Sequence, residues 1–166
     1  MTYKNDLTKY GISDFAAGNV DFAGSDHPLT DELGQVTARC QGNPPWHLPM
    51  VIKPMAIIYH LDGVTDLTLS GDVAARIFNG GITRWNDPAI RALNGPVTLP
   101  DVAIQVFHLP KNYRDNAVFQ SYLKAASHGA WTTDAGETFT GTGTEVDAMG
   151  LTAKVLARYG AISYTD

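Results

Sequence analysis

Val102-Ala103-Ile104-Gln105-Val106-Phe107-His108-Leu109-Pro110-Lys111-Asn112-Tyr113-Arg114-Asp115-Asn116-Ala117-Val118-Phe119-Gln120-Ser121-Tyr122-Leu123-Lys124-Ala125-Ala126-Ser127 is the stretch that decides the fold. Its first six residues are a β-rich run. From Asp115 onward, Val118, Phe119, Tyr122 and Leu123 recur at the spacing of one helix face, which predicts a helix over residues 115–127 with those four inward. A strand that turns through a short loop into a helix is the repeating unit of α/β architecture.

Outward from this stretch the alternation continues. On the C-terminal side a Gly/Thr-rich loop at 138–144 leads to a helix over about 146–158 and a closing strand at 161–164. On the N-terminal side Asp87-Pro88 starts a short helix through Leu93, and Ser70 caps a helix over 72–78 that stops at Asn79-Gly80-Gly81. Residues 51–61 read as a strand, and Pro54, which cannot donate to a ladder, predicts a bend or a sheet edge. Residues 28–49 are rich in turn formers, Gly42-Asn43-Pro44-Pro45 above all, and read as a surface excursion with at most one short helix. A helix over 6–17 ending at Gly18, then a short strand over 19–23, opens the chain. The expected fold is an α/β sandwich with a mostly parallel sheet and flanking helices.

A chain of 166 residues suits one well-buried domain, or two lobes on a short hinge. Its 17% charged and 44% hydrophobic residues are an ordinary globular balance. A net charge of −5 without a basic run argues against nucleic acid, because phosphate backbones reward clustered Lys and Arg. Apolar runs are too short for membrane insertion, and the opening residues lack the charged start and apolar stretch of a signal peptide. Cys40 is alone, so cysteine usage does not identify a redox compartment. His27, His47, His60, His108 and His128 are scattered, with no i, i+4 pair for a metal. No nucleophile motif or P-loop occurs, so the chain reads as non-catalytic, with no cofactor or metal implied.

Two longer passages carry a family resemblance. One is Tyr3-Lys4-Asn5-Asp6-Leu7-Thr8-Lys9-Tyr10-Gly11-Ile12-Ser13-Asp14-Phe15-Ala16-Ala17-Gly18-Asn19-Val20-Asp21-Phe22-Ala23-Gly24-Ser25-Asp26, matching except at its 7–11 loop; the other is Phe78-Asn79-Gly80-Gly81-Ile82-Thr83-Arg84-Trp85-Asn86-Asp87-Pro88-Ala89-Ile90. Together with Leu99-Pro100, Phe119-Gln120-Ser121-Tyr122-Leu123 and Gly160-Ala161-Ile162-Ser163-Tyr164, they resemble the phosphate-binding receptors of bacterial ABC transporters, of the actinobacterial kind. The resemblance implies a periplasmic-binding-protein-like (type II) α/β fold, two lobes around an anion cleft, and a place outside the cytoplasm, periplasmic or at the cell surface. It also implies a truncated chain. Residues 1–50 correspond to a remnant of the first lobe and 51–166 to the second lobe with hinge strands, expected to form one compact unit.

The resemblance also maps the ligand loops. Gly24-Ser25-Asp26 matches the family text, so Ser25 and Asp26 would be the ligand-site remnant, Asp26 accepting a proton from the anion. The family's glycine-rich anion loop is replaced by Leu7, Thr8, Lys9, Tyr10 and Gly11, and its Arg-Ser-Asp-x-Ser-Gly-Thr by Leu109-Pro110-Lys111-Asn112-Tyr113-Arg114-Asp115. Further departures fall at Ile52-Lys53, Met55 and the run Glu145, Val146, Asp147, Ala148, Met149. Each lost charge-assisted hydrogen bond costs roughly 1.5–3 kcal/mol, so tight phosphate binding in the family's manner is not expected.

Lys9, Tyr10, Lys53, Met55, Lys111, Tyr113, Arg114 and Met149 are residue types suited to an interface core. The expectation is a binding module on a phosphate-receptor scaffold, recast by design or selection to engage a protein partner or a second copy through the former cleft face. The alternative is an extracytoplasmic solute-binding component of an ABC transporter. There Lys9, Lys53, Lys111 and Arg114 would gather a small anion, phosphate or another, with Ser25 and helix N–H groups.

Overall fold

A computed structural model of the chain describes residues 8–25, 28–29 and 32–166, and of Lys9 only the backbone. Two compact units result, Met1–Ile52 and Lys53–Asp166. In the first, α1 (Thr8–Ala16) and α2 (Leu33–Arg39) are the regular elements among the described residues. Gly18 terminates α1 with φ 79, where a side chain would be strained. The strand expected over 19–23 is absent from the described residues: Phe22 is exposed and no ladder partner faces this stretch. Asn19 N–H instead donates back to Asp14 O at 2.9 Å, closing the end of α1.

The second unit runs β1 (Ala56–Tyr59), α3 (Gly71–Phe78), α4 (Pro88–Leu93), β2 (Gln105–His108), α5 (Arg114–Ala126), β3 (Thr144–Glu145), α6 (Ala148–Leu156) and β4 (Ala161–Thr165). The sheet has the order β1-β4-β2-β3. β2 is parallel to both β3 and β4, while β1 lies antiparallel to β4 with Ala56 opposite Thr165. The sheet is therefore mostly parallel, in an α/β frame. β1 is shorter than the predicted 51–61, because β4 ends where Ala56 finds its partner, and Pro54 stands before the strand, which is an edge. β2 also starts later than predicted: Trp85 N–H donates to Val102 O and Ile104 N–H to Thr83 O, so residues 102–104 bond to the 83–85 segment first.

The 78–90 text, read above as family signature, proves to be scaffold. Phe78, Ile82, Trp85 and Ile90 are all buried, and the Trp85 indole donates to Gly160 O at 2.9 Å. Asp87 caps α4 by accepting from Ala89 N–H, with Pro88 following it in the first turn. Ser70 likewise accepts from Val73 N–H at the start of α3. Gly71 is required by proximity, since a Cβ there would stand 2.4 Å from Ala126 O at the end of α5. Around Phe78 an aromatic cluster forms the centre of the core, with Phe119 and Tyr164 stacked at 4.1 Å and Phe78 edge-on to Phe119 at 4.7 Å.

Helix α5 departs from its predicted face. Phe119 and Leu123 are buried, but Val118 and Tyr122 are half-exposed, and the amides Asn116 and Gln120 take the inner positions instead. A hydrophobicity pattern counts amides as outward; a buried amide whose bonds are all made is equally stable inside.

Candidate functional site

Strand register gathers one end of the sheet. The C-terminal ends of β2, β3 and β4 and the start of β1 lie together, with His108 beside Glu145 and Thr165 beside Ala56. Open α/β sheets present their ligand-facing loops at the carboxyl ends of parallel strands. Six of the residues singled out above, Lys53, Met55, Lys111, Tyr113, Arg114 and Met149, stand at this end or on the loops that leave it.

The loop from β2 to α5 is built tightly. Leu109 is only 4% exposed and belongs to the core, which explains an apolar residue at a position where the resemblance implies arginine. Lys111 and Asn112 form an exposed turn, Asn112 adopting φ 68, a left-handed conformation that asparagine tolerates. Tyr113 then occupies the N-cap position of α5 in extended conformation, packs against the core, and makes no side-chain cap bond. Arg114 reaches Glu137 at 3.3 Å, a partly exposed pair that adds little to stability.

A buried polar network holds this loop in place. The Asn116 side-chain amide donates to Pro110 O at 2.7 Å and to Glu137 O at 2.9 Å, with a longer bond to Leu109 O at 3.4 Å, and its Oδ1 accepts from the Tyr164 hydroxyl. One turn on, Gln120 donates to Gly136 O and Thr138 O and accepts from both the backbone and the hydroxyl of Thr140. Two side chains at i, i+4 thus tie α5 to the loop before it and to the 136–140 loop. Burial pushes the Tyr164 hydroxyl well above its usual range, with the Asp115 carboxylate adding to the effect. The signal for this network was present in the sequence: two amides on the apolar stripe of a helix that also carries Phe119 and Leu123.

The neighbouring strand ends add charge of both signs. Lys53 pairs with Asp166 just past β4. Beyond β3, Val146 N–H donates to His108 O at 2.9 Å, and Asp147 caps α6 by accepting from Met149 N–H, leaving the Met149 side chain 97% exposed. The mixture of Lys53, Lys111 and Arg114 with Asp115, Glu137, Glu145, Asp147 and Asp166 is a set of donors and acceptors, and among the described residues no cluster of metal ligands occurs.

The remaining predicted residues belong to the other unit. Thr8, Tyr10 and Gly11 are helical, in the first turn of α1, in line with the helix expected over 6–17, so the residues that replace the family's anion loop here open a helix. Tyr10 is half-exposed, and Ser25 is exposed outside any helix or strand. Leu7 and Asp26 lie outside the described residues, as does the side chain of Lys9.

Against known proteins, residues 1–166 match the model of the PBP superfamily domain. The chain belongs to this periplasmic binding protein superfamily. It is 48% identical over 142 residues to phosphate-binding protein PstS 3 of Mycobacterium tuberculosis, covering 85% of this chain and 38% of the relative. With phosphate-binding protein PstS 2 of the same species it shares 43% over 172 aligned positions, covering 100% of this chain and 46% of the relative. The chain therefore spans less than half the length of these curated relatives. Among solved structures, a phosphate-binding protein from Stenotrophomonas maltophilia superposes with a TM-score of 0.64 at 20% identity, over 96% of this chain and 51% of that one. A high affinity periplasmic phosphate-binding protein, PfluDING, gives a TM-score of 0.61, also at 20% identity, over 96% and 48%. These two likenesses establish the fold.

Proposed function

We propose that this chain is the solute-binding part of an ABC-transporter receptor and takes an oxyanion of the phosphate class at the carboxyl end of its sheet. The observation that carries this reading is the 109–116 loop. It leaves a parallel strand, presents Lys111 and Arg114, enters the start of a thirteen-residue helix, and is pinned by Asn116. Helix starts supply N–H groups and positive potential to anions. The naming of the curated relatives as phosphate-binding proteins favours the same ligand class.

The carboxylates at this end set the selectivity. A phosphate that keeps a proton near neutral pH donates a hydrogen bond to a carboxylate, whereas sulfate has no proton to give. Calorimetric titration with phosphate, sulfate and small carboxylates tests this: saturable heat with phosphate and none with sulfate is expected, and the absence of heat with every anion removes the reading. Affinity below that of receptors with intact glycine-rich loops is part of the expectation, at about tenfold per 1.4 kcal/mol lost.

A second reading, a face recast for a protein partner, draws on exposed Met149. The relatives support the anion receptor and give no support to a redesigned protein-binding face.

A further inference from the structure

The 136–140 loop is fixed by the same helix that carries the candidate anion site. Asn116 donates to Glu137 O at 2.9 Å, and Gln120 donates to Gly136 O at 2.8 Å and to Thr138 O at 3.1 Å. Three successive carbonyls are thus held by two amides of α5. Phe139, further along the loop, is buried in the aromatic cluster, its ring centroid 5.7 Å from that of Tyr164. With the backbone clamped at 136, 137 and 138 and a side chain anchored at 139, the freedom left to Glu137 is in its own rotamers.

What this loop delivers is a carboxylate. Arg114, the first residue of α5, donates from Nη1 to Glu137 Oε1 at 3.3 Å. A guanidinium treats carboxylate and phosphate oxygens alike, since both accept its N–H groups and both carry the charge it pairs with. A carboxylate fixed to the molecule is always at hand, whereas a free anion has to compete for the same group from solution. The pair is also weak enough to be displaced. Its side chains are 34% and 44% exposed, and ion pairs of this kind contribute little. The two loops keep their places without it, because the bonds of Asn116 and Gln120 hold them.

We propose that Glu137 is a tethered competitor of the bound anion: its carboxylate holds the Arg114 guanidinium, and an oxyanion of the phosphate class binds there by displacing it. This rests on the reading of the carboxyl end of the sheet as the anion site. The affinity of that site is then set below what Lys111, Arg114 and the start of α5 would give together, and the carboxylate turns toward solvent when the anion arrives.

Calorimetric titration with inorganic phosphate is the test, at about 0.15 M salt so that charges more than about 8 Å apart are largely screened. Glu137→Gln keeps the length of the side chain and removes its charge; it is expected to tighten phosphate at least about threefold, the scale of one partly exposed ion pair. Arg114→Gln weakens phosphate. Glu137→Gln added to Arg114→Gln changes affinity by less than about 1.5-fold, because the guanidinium it would free is gone. Asp134→Asn removes the same charge from the pair with Lys124 in the last turn of α5 and leaves affinity within about 1.5-fold of wild type. Circular dichroism on each variant verifies folding. Where the wild type binds phosphate, three results overturn the proposal and leave the anion site standing: an unchanged or lowered affinity in Glu137→Gln, the same gain in the Arg114→Gln background, or an equal gain in Asp134→Asn. A wild type that gives no heat with any anion removes the site and the proposal together.

Discussion

Asn116 is the side chain on which the candidate site depends most. It bridges the loop that leaves β2 and the 136–140 loop, and it accepts from Tyr164 inside the aromatic cluster. Asn116→Ala leaves two partly buried backbone carbonyls and the buried Tyr164 hydroxyl without their partner, and buried groups left unpaired cost about 1–3 kcal/mol each. A loss of about 3 kcal/mol in a denaturant titration is the expected outcome; a loss under about 1 kcal/mol would show that the amide is not a strut. Tyr164 gives a pH test of the same network. Its folded-state pKa is raised from the ordinary 10.0, first by burial. A raised pKa favours the neutral hydroxyl, so its contribution is complete below pH about 10 and is lost as pH rises above that. Wild-type protein should therefore lose stability more steeply than Tyr164→Phe in alkali, as read by midpoints measured across that range.

At the scale of elements, local chemistry was the most readable layer. Ser70 and Asp87 were legible as caps, and both accept the expected backbone N–H. Ser70→Ala and Asp87→Ala should each cost about 1 kcal/mol, measurable as shifts in thermal midpoint; no shift in either would mean that helix starts here are held by packing alone. Gly18 and the Asn79-Gly80 stop were equally plain, because left-handed backbone selects glycine. Strands were less readable. Residues 51–61 carry continuous strand character, yet only Ala56–Tyr59 pair, because strand length is set by a partner more than a hundred residues away. The 19–23 run failed for the same reason. Helix α5 was placed within a residue but turned wrongly, since periodicity assigns Val118 and Tyr122 inward and cannot see that Asn116 and Gln120 will find all their partners inside.

For the whole molecule, the mostly parallel sheet followed from alternating strands and helices, and the family resemblance followed from the 3–26 and 78–90 passages. The second passage proved to be core and caps, so the text that identifies the family is the text that builds it. The site was legible only in outline. Which loops depart from the family text could be read directly, but that Leu109 turns into the core and that Lys53 meets Asp166 depend on register, which no single segment encodes. The central claim is that an oxyanion of the phosphate class binds at the carboxyl end of the parallel strands. Backbone amide chemical shifts during a phosphate titration test it most directly. Shifts concentrated on residues 109–116, with smaller ones at 145–149, are the predicted result, and a titration that leaves those amides unmoved would contradict it.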